Sequence, residues 1–149
     1  MNAGARAEDK TILCLCNELD KKATDWRLYL YAKDPLTWKV IKEGPWAELK
    51  INRPSGKFTL AAQGLLAETE YALVRTDGRA QAGQVLTRTF TDGRGNFNVS
   101  GVWHEWSAKF WVVLGNDLQG KQRDYKAGMR DTMKGWHPKQ YIFESEEIL

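Results

Sequence analysis

The feature that most constrains the fold is a short apolar run in the C-terminal third of the chain. Residues 110–114 have the sequence FWVVL, and four of these five side chains are β-branched or aromatic. Such side chains favour strands, and an apolar run bounded by turn residues is typical of a strand buried on both faces. The turn residues Gly115, Asn116 and Asp117 follow directly. We therefore predict that residues 108–117 contain a central strand.

Alternation of apolar and polar side chains recurs along the rest of the chain. In residues 26–32 apolar side chains alternate with an arginine and two tyrosines, which predicts a strand with one core face and one aromatic, polar face. The turn sequences of residues 53–56 and 92–95 predict two hairpins. Further strands are predicted at residues 38–42, 46–52, 57–62, 71–75, 85–91, 96–101 and 141–144. About eight short strands without an amphipathic helix predict an all-β fold, an antiparallel β-sandwich that is Ig-like or similar.

Length and composition set limits on the class of protein. At 149 residues, with 42% hydrophobic residues, the chain fits one domain at residues 11–149, preceded by a flexible leader at residues 1–10. The net charge of +3 is too small and too scattered to indicate nucleic acid as a partner. No apolar run approaches the about 18 residues that span a membrane, so we expect no membrane span.

The N-terminal region leaves two interpretations open. Residues 1–10 have no apolar core of a signal peptide, yet Ala5 and Ala7 flank Arg6 in the small-x-small pattern of a cleavage site. The chain is therefore either cytosolic with a frayed leader or the mature part of an exported protein. Cys14 and Cys16 are two residues apart and would share one face of a strand. We expect them to be structural or incidental thiols, because no further soft ligand has metal-site spacing, and the alternative is a strained disulfide between the two.

Several motifs in a fixed order resemble those of a known group of proteins. They are Gly64-Leu65, the segment TEYALV at residues 69–74, DGxGNF at residues 92–97, KFWVVL at residues 109–114 and GWxPxxYxFE at residues 135–144. Together they resemble an uncharacterised archaeal and bacterial β-sandwich family, many members of which are exported. The resemblance implies a β-sandwich and an exported or cell-envelope location, and it supplies no catalytic residues. This chain differs in lacking a signal peptide and in its polar segment at residues 119–130.

Metal and catalytic sites lack their usual spacing. Asp92 and Asn96 could offer oxygen ligands to calcium, but the terminal bidentate glutamate of a calcium loop is missing, so we predict a turn there. His104 and Ser107 suggest a hydrolase, but no Gly-x-Ser-x-Gly motif marks an activated serine. We therefore predict no metal, no cofactor and no catalytic residue.

The tryptophans are the most informative candidates for function. The chain has seven, more than one sandwich core commonly needs, and a buried indole N–H requires a partner. We assign Trp26, Trp111 and Trp38 to the core. The candidate surface patch comprises Trp103, His104, Trp106, Trp136 and His137. The alternative is that these tryptophans pack over one end of the sandwich as a satellite cluster.

These observations favour a binding or interaction module without catalysis. Its partner would be a protein or a glycan held on the aromatic patch. A second possibility is a homo-oligomer whose subunits meet at the same patch. The alternative is a small hydrolase-like or metal-dependent enzyme on a β-sandwich.

Overall fold

The computed structural model describes residues 23–76, 82–119 and 130–144. These ranges contain nine strands: β1 (Asp25–Tyr31), β2 (Trp46–Asn52), β3 (Lys57–Gln63), β4 (Glu70–Thr76), β5 (Ala82–Phe90), β6 (Phe97–Val102), β7 (Lys109–Leu114), β8 (Arg130–Thr132) and β9 (Ile142–Glu144). Two short 3-10 helices, Gly115–Asp117 and Pro138–Gln140, follow β7 and precede β9. The predicted all-β class is confirmed.

The nine strands form one antiparallel sheet in the order β6-β3-β2-β1-β9-β7-β4-β5-β8. The sheet curls until it is nearly closed, which gives it a barrel-like shape. On one side of the sheet β1, β2 and β3 pair in sequence order, which confirms the hairpin predicted at residues 53–56, and on the other side β4 pairs with β5. The hairpin predicted at residues 92–95 is wrong, because the strands that this turn joins pair elsewhere, β5 with β4 and β8, and β6 with β3. The strand β9 comes from the end of the described chain and pairs with β1 and β7. The strand β9 therefore joins the two halves of the sheet.

The main core lies on the inner face of the curled sheet. In β1, β2 and β3 every second side chain is buried, as the alternation predicted. Leu28, Leu49 and Leu60 lie opposite one another across these strands and are at most 2% exposed. Residues directly opposite on neighbouring strands share a face, so such rows fill the interior.

The strand β7 lies near the middle of the sheet, as predicted from its apolar run. It pairs with β9 on one side and β4 on the other. Val112 belongs to the inner core and Val113 to a second apolar cluster on the outer face, and both side chains are 0% exposed. The prediction of a strand buried on both faces is confirmed.

The predicted strand at residues 38–42 is wrong. Residues 32–45 instead form a loop between β1 and β2, closed by an isolated bridge between Lys33 and Val40. The Asp34 side chain accepts hydrogen bonds from the backbone N–H groups of Leu36 and Thr37, at 2.8 and 3.2 Å. Trp38 has a φ of 61°, which interrupts extended backbone. The local turn chemistry of Asp34 therefore outweighs the short β-branched segment after it.

Several predictions concern residues outside the described ranges. They are the leader at residues 1–10, the cleavage pattern at residues 5–7, Cys14, Cys16 and most of the polar segment at residues 119–130. Among the residues that are described, no helix has the length and apolar character needed to cross a membrane.

Candidate functional site: the outer aromatic surface

A row of aromatic residues crosses four strands on the outer face of the sheet. Trp46 in β2 lies opposite Tyr31 in β1, and Tyr31 lies opposite Phe143 in β9. Phe143 in turn lies opposite Trp111 in β7. Because opposite residues in antiparallel pairs share a face, all four rings project from the same side of the sheet. We call these four residues the aromatic row.

Two further tryptophans cover the middle of the aromatic row. Trp38, from the 32–45 loop, has its ring centroid 4.6 Å from that of Phe143. Trp136 lies 5.6 Å from Trp111, centroid to centroid. As a result Phe143 is 0% exposed, while Trp38 and Trp136 are 42% and 48% exposed. The aromatic row together with Trp38 and Trp136 is the aromatic surface.

A hydrogen-bonded trio of polar side chains lies beside Trp136. The carboxylate of Asp117 lies 2.9 Å from His137 Nδ1 and accepts a hydrogen bond from the Tyr141 hydroxyl. The backbone N–H of His137 donates to the same hydroxyl, at 3.1 Å. Asp117 and Tyr141 are buried, whereas the His137 side chain is 61% exposed. Burial and the Asp117 carboxylate both raise the pKa of Tyr141, so its hydroxyl remains protonated at neutral pH.

The trio is placed by close backbone packing. Residues 115–117 form the 3-10 helix after β7, and the backbone N–H of Gly135 donates to the backbone carbonyl of Asp117 at 3.2 Å. A Cβ on Gly135 would overlap the Asp117 carboxylate, so only glycine fits there. This contact holds the segment that carries Trp136 and His137 against the end of β7.

The two segments that carry the covering tryptophans are rich in lysine. The Lys33 ammonium lies 5.4 Å from the centre of the Trp38 ring, a cation–π contact. Backbone N–H groups of Leu36 and Thr37, with a smaller contribution from the nearby Lys139 ammonium, lower the pKa of Asp34. Residues 32–45 and 133–141 hold five lysines, Lys33, Lys39, Lys42, Lys134 and Lys139, against the two carboxylates of Asp34 and Glu43.

Two of the five residues predicted as a surface patch belong to the aromatic surface or its polar trio. Trp136 is half exposed on the outer face, and His137 follows it with its ring held by Asp117. Trp38, which we assigned to the core, is a further exposed member of this surface. Trp38 and Trp136 lie on top of Phe143, so part of each indole is packed against that ring and the rest is exposed.

The assignment of Trp106 to the surface is wrong. Its side chain is 9% exposed and belongs to the inner core, where it packs edge-on against Phe58 at 5.6 Å and tilted against Phe110 at 5.2 Å. The indole N–H donates to the backbone carbonyl of Trp103 at 2.8 Å. This local bond satisfies the polar end of the ring, so the indole can be buried.

Trp103 and His104 lie in the connector before β7, apart from Trp136. Trp103 packs partly against the inner core, and its indole N–H donates to the carbonyl of Glu105 at 2.8 Å. His104 is exposed and lies over Gly56, where a Cβ would overlap its ring. Trp103 and Trp106 pack on the inner side of the sheet and Trp136 on the outer side, so the five predicted residues do not form one patch.

The weaker candidates have structural partners. Asp92 Oδ1 accepts hydrogen bonds from the backbone N–H groups of Arg94 and Asn96, at 2.8 and 3.0 Å. The Asn96 side chain accepts from the backbone N–H of Gly64 at 3.1 Å. Within residues 23–76, 82–119 and 130–144, no group of three or more His, Cys, Asp or Glu side chains could hold a metal.

The Ser107 hydroxyl is bound by an arginine. Arg75 donates to the Ser107 Oγ at 2.9 Å and to its carbonyl oxygen at 3.0 Å. Arg75 also donates to Gln84 Oε1 at 2.7 Å, so it ties the connector to β4 and β5. This arrangement fixes the chain before β7 and does not give Ser107 the histidine base that a serine nucleophile requires.

Sequence reasoning missed most of the aromatic surface. The outward position of Tyr31 followed from the alternation in β1, but its alignment with Trp46, Phe143 and Trp111 depends on the register of four strands. Asp117 follows β7 as a turn residue, and no spacing among the carboxylates of the sequence marks it as the one that holds His137 and Tyr141. In the sequence His137 and Tyr141 are four residues apart, but Asp117 lies 20 residues before His137, so no local pattern indicates the trio.

Comparison with protein-family models, with curated proteins and with solved structures gives no match to this chain. The geometry of the aromatic surface is therefore the basis on which a function can be inferred.

Proposed function

We propose that the protein is a binding module without catalytic activity, and that it holds a protein or glycan ligand on the aromatic surface. The observation that carries the proposal is the pair of half-exposed indoles, Trp38 and Trp136, which both pack over the buried ring of Phe143. Exposed aromatic side chains grouped on one face are typical of binding surfaces. Trp in particular contributes large contact area at low conformational cost.

The rings beneath the two exposed indoles form a rigid base, and this favours binding. Phe143, beneath the two indoles, lies in a strand that is hydrogen-bonded on both sides, to β1 and to β7. Trp136 also packs edge-on against Tyr141 at 5.3 Å. Rings held in this way lose little freedom when a ligand binds, which favours affinity.

The test is a binding screen with defined probes on the full chain. Soluble polysaccharides are screened by affinity electrophoresis, and a synthetic peptide array is probed with fluorescently labelled protein. We expect saturable binding to at least one probe, weakened at least about tenfold by Trp136→Ala. The matched control is Phe90→Ala, because Phe90 is 47% exposed in β5, outside the aromatic surface.

Two outcomes would overturn the proposal. One is the absence of saturable binding to any polysaccharide or peptide. The other is equal loss of binding in the Trp136→Ala and Phe90→Ala variants, with both folded by circular dichroism.

The contact between Asp117 and His137 favours a small enzyme as the alternative. The Asp117 carboxylate contacts Nδ1 of His137, and the imidazole is largely exposed. Nε2, on the opposite edge of the ring, therefore faces solvent, as does the proton-accepting nitrogen of a histidine general base. The test is a panel of p-nitrophenyl esters and glycosides. Turnover that is lost in His137→Ala and kept in His104→Ala would favour the enzyme over the binding module.

A further inference from the structure

We propose that one edge of the sheet is a second binding site, which takes an extended peptide segment of a partner protein as an additional strand. The site is the edge of β6 that faces away from β3, and we call it the open edge. The strand β6 carries no residue of the aromatic surface, so this inference goes beyond the proposed function. Three features support it: unpaired backbone groups, the lack of any device that protects the edge, and a partly open core beside it.

The direction of the backbone groups in β6 follows from the hydrogen bonds at its two ends. The backbone N–H of Trp103, directly after the strand, donates to the carbonyl of Gly56 at 2.8 Å. The carbonyl of Gly95, just before the strand, accepts from the backbone N–H of Leu65 at 3.0 Å. Successive residues of an antiparallel strand point their backbone groups to opposite sides. The odd-numbered residues of β6 therefore bond to β3, and the even-numbered ones point to the open edge: Asn98, Ser100 and Val102.

The backbone N–H and C=O groups of these three residues have no hydrogen-bond partner in the part of the chain that the structure describes. The strand β6 is the first in the order of the sheet and pairs there with β3 alone. The side chains of Asn98, Ser100 and Val102 are exposed, so the edge is open to solvent. An extended peptide offers donors and acceptors at the same two-residue period and can replace the water on such groups. A glycan has no such repeat of donors and acceptors.

The open edge lacks the features that usually protect an edge strand. The sequence of β6 is FNVSGV, without proline and without a charged residue. The strand pairs with β3 through six successive residue pairs, so no bulge twists the edge away. At the other end of the described sheet, β8 has only three residues and includes Arg130 and Asp131. Short length and charge discourage further pairing, so β6 is the end that can accept another strand.

The core is partly open beside β6, and this indicates the side chains that a ligand needs. Phe97 is 9% exposed, whereas Val99 packs on the core and remains partly exposed. Gly101 lies so close to the Phe58 ring that a Cβ would overlap it. A strand added here would place every second side chain next to Val99 and Gly101 on the inner face. The expected ligand is therefore a peptide with apolar residues at alternate positions and no proline in the paired stretch.

A peptide suits the open edge better than a second folded copy of the chain. The six residues of β6 make an edge about 20 Å long, at ~3.4 Å per residue. Two folded copies that met only along this strip, roughly 10 Å thick, would each bury about 200 Å², well below the ~800 Å² per partner of a stable interface. The sheet is also nearly closed, so the open edge turns toward the other end of the sheet. A single extended chain needs less room there than a folded domain does.

The first measurement is amide hydrogen exchange, followed by NMR on the full chain. The amides of Asn98, Ser100 and Val102 should exchange at least about tenfold faster than those of Val99 and Gly101, which bond to β3. Equal protection of the two sets would mean that the open edge is already paired, and the proposal would fail. Protection of the edge amides that rises with protein concentration would identify a second copy as the occupant and would equally overturn the peptide.

The second measurement uses an array of synthetic 12-residue peptides in which Val, Ile, Leu or Phe alternates with Thr, Ser or Gln. Each has two counterparts, one with the same residues in scrambled order and one with a central proline. We expect at least one alternating peptide to bind, and its two counterparts to bind at least about tenfold more weakly. The same peptide, added in solution, should slow exchange at the amides of Asn98, Ser100 and Val102. This readout requires no variant of the protein.

Variants locate the binding on the open edge. Ser100→Pro removes an N–H that points to the open edge and no bond to β3, so it should weaken the peptide at least about tenfold. Ser100→Thr keeps that N–H and is the matched control. Val102→Pro, at the end of the strand, is a second variant in case Ser100→Pro does not fold by circular dichroism. Trp136→Ala should leave binding of this peptide unchanged.

The outcomes separate this inference from the proposed function. If no alternating peptide binds, or if folded proline variants bind as tightly as Ser100→Thr, the open edge is not a peptide site, and the aromatic surface is unaffected. If peptide binding is lost in Trp136→Ala and kept in the proline variants, the peptide binds the aromatic surface. That result would overturn this inference and support the proposed function.

Discussion

Gly95 lies against the backbone carbonyl of Leu65, so close that a Cβ on residue 95 would overlap the carbonyl oxygen. The contact joins the turn before β6 to the loop after β3, and the backbone N–H of Leu65 donates to the Gly95 carbonyl at 3.0 Å. Gly95 also has a φ of +80°, which costs an L-residue about 1–2 kcal/mol. Gly95 therefore meets two requirements at once, the absence of a Cβ at the Leu65 carbonyl and a positive φ.

Gly95→Ala should therefore lower the free energy of unfolding by about 3 kcal/mol, since left-handed backbone strain and a backbone clash add. Urea denaturation, monitored by tryptophan fluorescence, measures this change in the free energy of unfolding. Gly93→Ala is the matched control in the same turn, because the nearest atom to its Cβ would be Glu68 Oε2 at 4.0 Å. A loss below about 0.5 kcal/mol is expected for the control, and equal losses would contradict the prediction.

Tyr141→Phe should lower the free energy of unfolding by about 2 kcal/mol. The change removes the hydroxyl that donates to the buried Asp117 carboxylate and accepts from the His137 N–H. Chemical denaturation at pH 7 measures it. Tyr29→Phe is the control, since its hydroxyl donates to Glu48 at 3.3 Å in a partly exposed site, and a change of about 0.5 kcal/mol or less is expected. A small effect at Tyr141 would mean that the trio does not stabilise the segment.

Alkaline pH should destabilise the protein. Burial raises the pKa of Tyr71 and of Tyr141 above the ordinary value of 10.0. Above pH 10 the unfolded chain therefore loses these phenolic protons before the folded chain does. The folded state then binds more protons, and the free energy of unfolding falls as pH rises.

The expected result is a denaturation midpoint that falls steadily above pH 10, with a smaller slope in Tyr141→Phe. Absorbance at 295 nm provides a second measurement, because the buried phenols should ionise only as the protein unfolds. A midpoint independent of pH between 9 and 11 would contradict this expectation.

Calcium should have no effect on stability at the turn before β6. The Asp92 carboxylate accepts hydrogen bonds from the N–H groups of Arg94 and Asn96, and the Asn96 bond contributes most to the lowered pKa of Asp92. Differential scanning fluorimetry with excess CaCl₂ or EDTA should give the same Tm. A rise in Tm with calcium that disappears in Asp92→Asn would restore the metal interpretation.

Replacement by alanine should destabilise the protein much more at Trp106 than at Trp136. Trp106 is buried between Phe58 and Phe110, so its loss should cost about 4 kcal/mol of unfolding free energy. Trp136 is half exposed, so about 1 kcal/mol is expected, together with the loss of ligand binding. Denaturation curves of both variants measure the contrast, and a similar cost for the two would contradict the assignment of inner and outer faces.

Local patterns in the sequence predicted much of the fold. The apolar run of β7 and the alternation in β1 identified strands because burial on one or both faces follows from side-chain period alone. The turn at residues 92–95 followed from its glycines and aspartate, although the two strands that it joins do not pair with each other as a hairpin. These features depend on interactions within a few residues of one another.

The candidate site depended on contacts that the sequence does not display. Trp106 resembled a loop tryptophan, but its indole N–H bond to the Trp103 carbonyl allows it to enter the core. Trp38 resembled a strand residue, but the Asp34 turn carries it onto Phe143. Strand register and the partners of buried polar groups decide such placements, and neither follows from a local pattern.

The position of β9 also bears on how the chain folds. The groups β6-β3-β2-β1 and β7-β4-β5-β8 are each connected by their own pairings, and among the described strands β9 alone pairs with both groups. Its residues, 142–144, follow those of the other eight described strands in the chain, so they leave the ribosome after them. Each group could form early, but the complete sheet requires pairing over more than 100 positions, between Phe143 and Tyr31. Such long-range pairing is slow, and the last step of folding should be the insertion of this strand between the two halves.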